Sequence, residues 1–240
     1  MRQRVQKGTN EISTSTIIYG SIAIIILCIV VGIGAFAWNR HVSNVQSVGG
    51  QVAAPVVPSL RPDDHVLGIR TAPVILFVYT DTECPFCKNL HEYTIPKLRG
   101  VYGAKIAVVY RHNPLDAIHP RARYEQEAAE CAYKQGGDTA FWKFISEIFS
   151  ETASNETFPP SELSVIAANI GLDTSKFNSC LSSGEMKARV ARDSQDAAIA
   201  GLDITPSTVV YGYGKSIVVS GNYYSQLHAA IETVLDSVSH

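Results

Sequence analysis

Charged residues are scarce in this sequence. They occupy only 18% of its 240 positions, and 20 Lys and Arg nearly cancel 22 Asp and Glu. Without a basic excess, a nucleic-acid-binding surface is not expected. Apolar residues make up 46% of the chain, which excludes an intrinsically disordered protein because a core of useful size can form. Internal repeats of roughly 20–50 residues are also absent from the sequence, so a repeat protein is excluded.

One stretch lacks charge altogether. The 22 residues from Ile17 to Trp38 contain no Asp, Glu, Lys or Arg. As a helix they would span roughly 30 Å, the thickness of a membrane's hydrocarbon core. Three basic residues precede this run and only Arg40 closely follows it, and cytoplasmic flanks carry the excess of positive charge. We therefore predict a single-pass transmembrane anchor at 17–38, a cytoplasmic N-terminus at 1–16 and an extracytoplasmic remainder. A cleaved signal peptide is the alternative, because Ala35-Phe36-Ala37 fits a cleavage site.

The segment after the predicted anchor has the composition of a linker. Residues 39–62 contain three prolines together with Gly, Ser and Gln, and almost no charge, a mixture typical of an extended tether. From residue 63 onward the pattern becomes that of a globular domain, which we assign to residues 63–240.

Apolar runs and helical periodicity predict the elements of that domain. Four β-strands are expected at 74–79, 105–110, 207–211 and 216–219. Seven helices are expected at 85–98, 119–135, 139–151, 161–170, 174–182, 185–200 and 223–238. The order is β-α-β, a helical block, then β-β-α. This order predicts one α/β domain with a helical insertion at about residues 116–201.

The motif Cys84-Pro85-Phe86-Cys87 carries the clearest chemical signal. It lies where a predicted apolar strand ends and a helix begins, the context in which C-x-x-C is a redox motif. Two cysteines three positions apart on a helix face can form a disulfide. The first one lies beside unpaired backbone N–H groups that favour its thiolate. Pro85 suits the first helical turn, where no N–H donor is required.

Other interpretations of the motif are a zinc site and a purely structural disulfide. Cys84, Cys87 and His91 share a helix face and could supply part of a zinc site, although the sequence shows no fourth ligand. A c-type haem would require His at the position held by Lys88. We therefore expect neither a metal nor a cofactor.

Eight segments of the sequence together resemble the bacterial extracytoplasmic DsbA-type thiol–disulfide oxidoreductases. They are Asp63–Gly68, Ala72–Val74, Tyr79–Cys87, Tyr110–Leu115, His119–Ala122, Ala128–Ala132, Phe141-Trp142 and Thr205-Pro206. The resemblance covers about residues 63–240 and implies a thioredoxin-like fold interrupted by the helical insertion. It also implies that Thr205-Pro206 is the cis-proline loop facing the cysteines, where the Thr205 backbone pairs with an extended substrate.

Two positions depart from the family pattern. The family often carries a buried acid six residues before the first cysteine, where this sequence has Val78. Phe86 replaces the His of the best-known oxidases, so it cannot stabilise the Cys84 thiolate by charge or hydrogen bonding. Asp81 and Glu83 lie near the motif in sequence but are expected at the exit of the strand.

Cys131 and Cys180 both fall in the predicted insertion. If the topology is correct they lie in an oxidising compartment, and with Cys84 and Cys87 paired a 131–180 disulfide remains. Two buried free thiols are the alternative. Cys28, inside the predicted anchor, is expected to be unpaired.

The predicted function is thiol–disulfide exchange on cysteine-containing exported polypeptides, in the direction of disulfide introduction. The linker at 39–62 has no room for the dimerisation domain that isomerases of this superfamily carry. The resemblance implies reoxidation by a membrane quinone-linked oxidase of the DsbB or vitamin K epoxide reductase type. A disulfide isomerase or reductase, and a non-catalytic peptide-binding module of the same fold, are the alternatives.

Overall fold

The computed structural model describes residues 59–155 and 157–238. Within them, five strands form one mixed sheet in the order β1-β3-β2-β4-β5. Strands β2 and β3 are parallel, and the other neighbouring pairs are antiparallel. The strands are β1 His65–Leu67, β2 Val74–Thr80, β3 Ile106–His112, β4 Ser207–Gly212 and β5 Lys215–Ser220.

The central position of β2 follows from its sequence. It is an unbroken apolar run that pairs with β3 on one side and β4 on the other, and nearly all of its side chains are buried. Such runs are typical of strands covered on both faces. Because β2 is central, the loop that follows it places the C-x-x-C motif at the carboxyl end of the central strand, near the middle of the sheet.

Helices cover the sheet and fill the insertion. Between β2 and β3 the chain forms α1 Pro85–Asn89, a π-helical turn Leu90–Thr94, and α2 Ile95–Tyr102. Between β3 and β4 it forms α3 Ala122–Glu151, α4 Glu162–Asn169, α5 Thr174–Ser183 and α6 Lys187–Ile199. Helix α7, Tyr224–Leu235, follows β5. Short 3-10 turns occupy Gly103–Lys105 and Asp236–Val238. The thioredoxin-like α/β fold expected from the sequence is thereby confirmed.

Most helix boundaries differ from the sequence prediction by a few residues, and two helices differ in kind. The helix predicted at 85–98 is interrupted by the π-helical turn and extends to Tyr102. The two helices predicted at 119–135 and 139–151 are joined in α3, with a kink at Gly137, whose φ of 62° is not helical. Glycine adopts positive φ without the steric cost that other residues incur, so the chain can bend here and continue as helix.

The largest aromatic core lies between the insertion and the sheet. Phe141, Phe144 and Phe149 of α3 are fully buried in it, and Cys84 and Cys87 belong to the same cluster. The motif is therefore positioned where the insertion packs on the thioredoxin-like part. A separate apolar cluster joins the sheet to α2 and α7.

No helix in the described part of the chain is long and apolar enough to cross a membrane. The anchor predicted at 17–38 lies outside the described residues, together with 1–16 and the linker as far as residue 58.

Candidate active site

Cys84 is the N-cap residue of α1. Its extended backbone, with φ −81° and ψ 121°, turns the chain from the loop after β2 into the helix, and Pro85 occupies the first turn. The backbone N–H groups of Phe86 and Cys87 approach the Cys84 sulfur. The sulfur thus lies at a point where unpaired helix donors favour negative charge.

The surroundings of Cys84 favour its thiolate. The Cys87 thiol donates a hydrogen bond that lowers the pKa of Cys84 to about 6, and the backbone donors of α1 assist it against the opposing effect of burial. Cys84 is therefore mostly ionised at neutral pH. A thiolate, unlike a thiol, is both a nucleophile and a good leaving group.

Cys87 has the opposite character. Burial raises its pKa well above 9, and the nearby Cys84 adds to the shift. The backbone N–H of Asp81 donates to its sulfur over 3.4 Å. The two cysteines, which are not joined to each other here, thus differ in the way that an attacking and a resolving cysteine require.

The loop before β4 lies against Cys84. The Cys84 sulfur lies 3.4 Å from the Thr205 carbonyl oxygen, to which it donates a hydrogen bond only in its thiol form, and the Thr205-Pro206 peptide bond is cis. Beside this contact, Phe86 and Ile204 expose 59% and 54% of their surface. The structure therefore brings together Cys84, Thr205 and Pro206, next to two exposed apolar side chains.

Asp81 lies between β2 and the motif and fixes the loop. It is fully buried, and its carboxylate accepts hydrogen bonds from the backbone N–H groups of Glu83 and Leu115, each over 2.7 Å. His119 Nδ1 lies 3.1 Å from the same group. Asp81 and Glu83 lie just after the end of β2, at the strand exit where they were expected. Both are fully buried there, and Asp81 satisfies loop donors that would otherwise be unpaired.

Glu125 of α3 is a second buried acid near the motif. Burial and a hydrogen bond with Glu83 raise the pKa of Glu125 to about 9. Glu125 is therefore protonated at neutral pH, next to the buried Glu83. Nothing in the local sequence indicated this pair, since its members are 42 positions apart.

Lys88 connects the motif to the insertion. Its ammonium group donates to the carbonyl oxygens of Phe149 and, over 3.1 Å, Thr152, near the end of α3. It also pairs with Glu92 at 3.3 Å. A cation suits the carboxyl end of a helix, so Lys88 holds α1 against α3.

One cluster in the described residues has the donor set of a metal site. Its members are His65 on β1, His112 on β3 and Glu130 on α3, with ligand atoms within 4.8 Å of one another. Glu130 Oε1, however, lies 2.8 Å from His65 Nε2 and 2.7 Å from His112 Nε2. Arg189 Nε is 3.5 Å from the same oxygen. These are hydrogen-bond and ion-pair distances, so the cluster is a buried polar network joining three elements.

The electrostatics of Glu130 agree with that description. Burial acts to raise its pKa, but the hydrogen bonds from His112 and His65 outweigh it and hold the pKa well below the usual value. By contrast, Cys84, Cys87 and His91 do not form such a donor cluster within residues 59–155 and 157–238, which argues against the zinc alternative.

Cys131 of α3 and Cys180 of α5 form a disulfide with an S–S distance of 2.01 Å. Both are buried in the core of the insertion. The bond therefore joins two helices at a distance in sequence from the C-x-x-C motif.

A first prediction concerns the ionisation of Cys84 in the reduced protein. Because the pKa is lowered to about 6, alkylation by iodoacetamide should accelerate with rising pH and level off above about pH 7. The thiolate absorbance in the ultraviolet should give the same midpoint, and Cys84→Ser should lack it. A midpoint at pH 8 or higher would contradict the hydrogen bonding described above.

A family model for thioredoxin matches residues 60–233. Among solved structures, DsbA2 of Pseudomonas aeruginosa is 26% identical with a TM-score of 0.61, over 75% of this chain and 97% of that one. BdbD of Bacillus subtilis, in its oxidised form, is 21% identical with a TM-score of 0.64, over 72% of this chain and 94% of that one. The second likeness supports the fold alone.

One curated relative bears the name of an antiporter. The Na(+)/H(+) antiporter NhaA 1 of Mycolicibacterium vanbaalenii is 33% identical over 195 residues, which are 80% of this chain and 30% of that protein. The chain thus spans about 30% of the length of this relative. The antiporter name describes that whole protein.

Proposed function

Because the chain belongs to the thioredoxin family, we propose that it is a thiol–disulfide oxidoreductase acting through Cys84 and Cys87. The observation that carries the proposal is the asymmetry of the two sulfurs. Cys84, with a pKa lowered to about 6, lies beside the Thr205 carbonyl oxygen, while Cys87 is buried with a raised pKa. An inert structural disulfide has no need of this arrangement.

The reaction on a substrate dithiol follows from that asymmetry. A substrate thiolate attacks Cys84 of the oxidised enzyme, the Cys84–Cys87 bond breaks, and Cys87 leaves and takes up a proton. The second substrate thiol loses its proton and attacks the substrate sulfur bound to Cys84. Cys84 then leaves as a thiolate. The substrate has gained a disulfide, and the two electrons are on the enzyme dithiol.

We infer that the enzyme works as a dithiol oxidase. The hydrogen bonds to the Cys84 sulfur stabilise the reduced enzyme, and a stabilised reduced form makes the disulfide form more oxidising. The exposed side chains of Phe86 and Ile204 would accept unfolded, cysteine-containing exported polypeptides beside the backbone of Thr205. Pro206 would hold that loop in place.

The test supplies the oxidised domain with a reduced multi-cysteine protein and, in a separate reaction, the reduced domain with the same protein carrying scrambled disulfides. We expect fast oxidation of the first and poor rescue of the second. Efficient rescue of the scrambled protein would show an isomerase instead. Absence of exchange with either substrate would leave only a non-catalytic module.

We further propose that residues 17–38 anchor the enzyme with its catalytic domain outside the cytoplasm. The support is the charge-free run and its basic N-terminal flank. A membrane oxidase of the DsbB or vitamin K epoxide reductase type would then reoxidise the nearby Cys84 and Cys87. Full-length protein should stay in the membrane fraction after an alkaline wash and be digested by external protease. A soluble, shortened chain would instead indicate cleavage.

A further inference from the structure

A cavity about the size of one water molecule lies beside Cys87. Its wall is mostly apolar and includes Val78, at the position where the family often has a buried acid. Two polar atoms in residues of this wall, Tyr110 Oη and Trp142 Nε1, are buried and have no hydrogen-bond partner among the described residues. Polar partners of this kind are what a buried water requires.

His91 lines the same cavity, one turn after Cys87. It belongs to the π-helical turn Leu90–Thr94, and such turns recur at functional sites. Its ring is stacked with Trp142 at 6.2 Å and contacts Phe149 at 5.0 Å. His91 Nε2 lies 3.0 Å from Ser146 Oγ on α3.

Beyond His91 the route reaches solvent. Ser146 and Trp142 also line an open groove between β1 and α3. His91, which lines the inner cavity together with Cys87, is thus linked through Ser146 to a groove open to water. The charged groups of that groove are Asp138, Lys143 and Glu147. On the helical segment itself, Lys88 and Glu92 pair with each other.

The proposed reaction needs a route for the proton of Cys87. The thiol is fully buried and its pKa is raised, so it is protonated whenever it is free, and it must lose that proton to reform the disulfide. Val78 can neither accept nor donate a proton. Burial lowers the pKa of His91 to about 4, so the ring is neutral at pH 7 and can accept a proton at one nitrogen while it releases one from the other.

We propose that His91 relays the proton between Cys87 and the groove, through a water molecule held in the cavity. The proposal rests on the proposed function. During reoxidation, Cys84 first forms a mixed disulfide with the oxidant and releases one oxidant thiolate. Cys87 then gives its proton to the water, which passes one to His91 Nδ1, and Nε2 releases one toward Ser146 and solvent. The Cys87 thiolate attacks Cys84 and expels the second oxidant thiolate.

The relay serves only the step in which Cys87 reacts, and that step can be measured by itself. Reduced enzyme is mixed with glutathione disulfide, quenched with acid, and analysed by mass for the mixed disulfide and for the closed Cys84–Cys87 form. In His91→Gln, which keeps a polar side chain but cannot take up a proton, we expect ring closure to slow by about tenfold or more. Formation of the mixed disulfide should stay within about twofold.

Three further variants separate the relay from a packing role. Tyr93→Gln introduces the same residue at an exposed position of the same turn and should leave both steps unchanged. Ser146→Ala interrupts the outer end of the route without touching α1, and should slow closure alone. Adding Val78→Asp to His91→Gln places an acid in the wall of the same cavity and should restore much of the closure rate.

Two results would overturn the relay. One is closure within about twofold of the unsubstituted rate in both His91→Gln and Ser146→Ala. The other is equal slowing of both steps in His91→Gln without recovery by Val78→Asp, which would assign the residue to packing. If the unsubstituted enzyme forms no mixed disulfide at all, the proposed function fails together with the relay, so the two failures are distinguishable.

Discussion

Replacing Cys87 by Ser is expected to leave the enzyme covalently attached to its substrates. Although the largest cause of its lowered pKa, the Cys87 thiol, is removed, the Cys84 sulfur keeps the backbone donors of α1, which also lower its pKa. Its thiolate therefore still attacks a substrate disulfide. The mixed disulfide then persists because no second enzyme thiol can displace it. Replacing Cys84 by Ser should reduce exchange by at least about a thousandfold, because the buried Cys87 is protonated and out of reach.

The measurement is non-reducing electrophoresis of cell extracts followed by mass spectrometry of the trapped partners. Cys87→Ser should show adducts that disappear on reduction, and Cys84→Ser should show none. The double variant is the control for adducts made by other cysteines. Adducts formed by Cys84→Ser alone would reverse the roles given to the two sulfurs.

The motif could be located from sequence because its chemistry is local. Four consecutive residues define the helix start, the proline in the first turn and the spacing of the sulfurs. Thr205 is different, because it lies 121 positions from Cys84. Only the resemblance to a family with this loop indicated that the two would meet. A Thr-Pro pair before a strand is otherwise an ordinary trans peptide in most proteins.

Strand β1 and the polar network were not predicted, for the same physical reason. His65–Leu67 is too short to show strand periodicity and becomes a strand only by pairing with β3. Glu130 receives its two imidazole partners from β1 and β3, so its role depends on tertiary contacts. Nothing in the sequence assigns His91 a role in proton transfer, because the cavity that it lines together with Cys87 is visible only in the structure.

The surroundings of Cys84 and the buried polar network differ in exposure. Cys84 itself is buried, but the side chains of Phe86 and Ile204 remain exposed, which leaves apolar surface available to the proposed substrate. His65, His112 and Glu130 are fully or almost fully buried. Their hydrogen bonds join β1, β3 and α3 in the interior.

Removing the Cys131–Cys180 disulfide is expected to cost a large share of the domain's free energy of unfolding. The bond closes a loop across 49 positions, for which the chain-entropy model gives about 4 kcal/mol. Native domains have only about 5–15 kcal/mol of unfolding free energy. Both sulfurs lie in the core of the insertion, so Ala at both positions also removes packed atoms and adds to the loss.

The matched background for this test is Cys84→Ser with Cys87→Ser, in which the 131–180 pair holds the remaining cysteines of the described residues. In that background, urea unfolding should show a loss of about 4 kcal/mol on adding dithiothreitol. The same reagent should change nothing once Cys131 and Cys180 are Ala. A loss below about 1 kcal/mol, or alkylation of both cysteines without reduction, would show that the pair does not stabilise the insertion.

Since the bond joins α3 to α5 rather than α1, exchange activity per folded molecule should fall less than about twofold in the Ala variant with Cys84 and Cys87 intact.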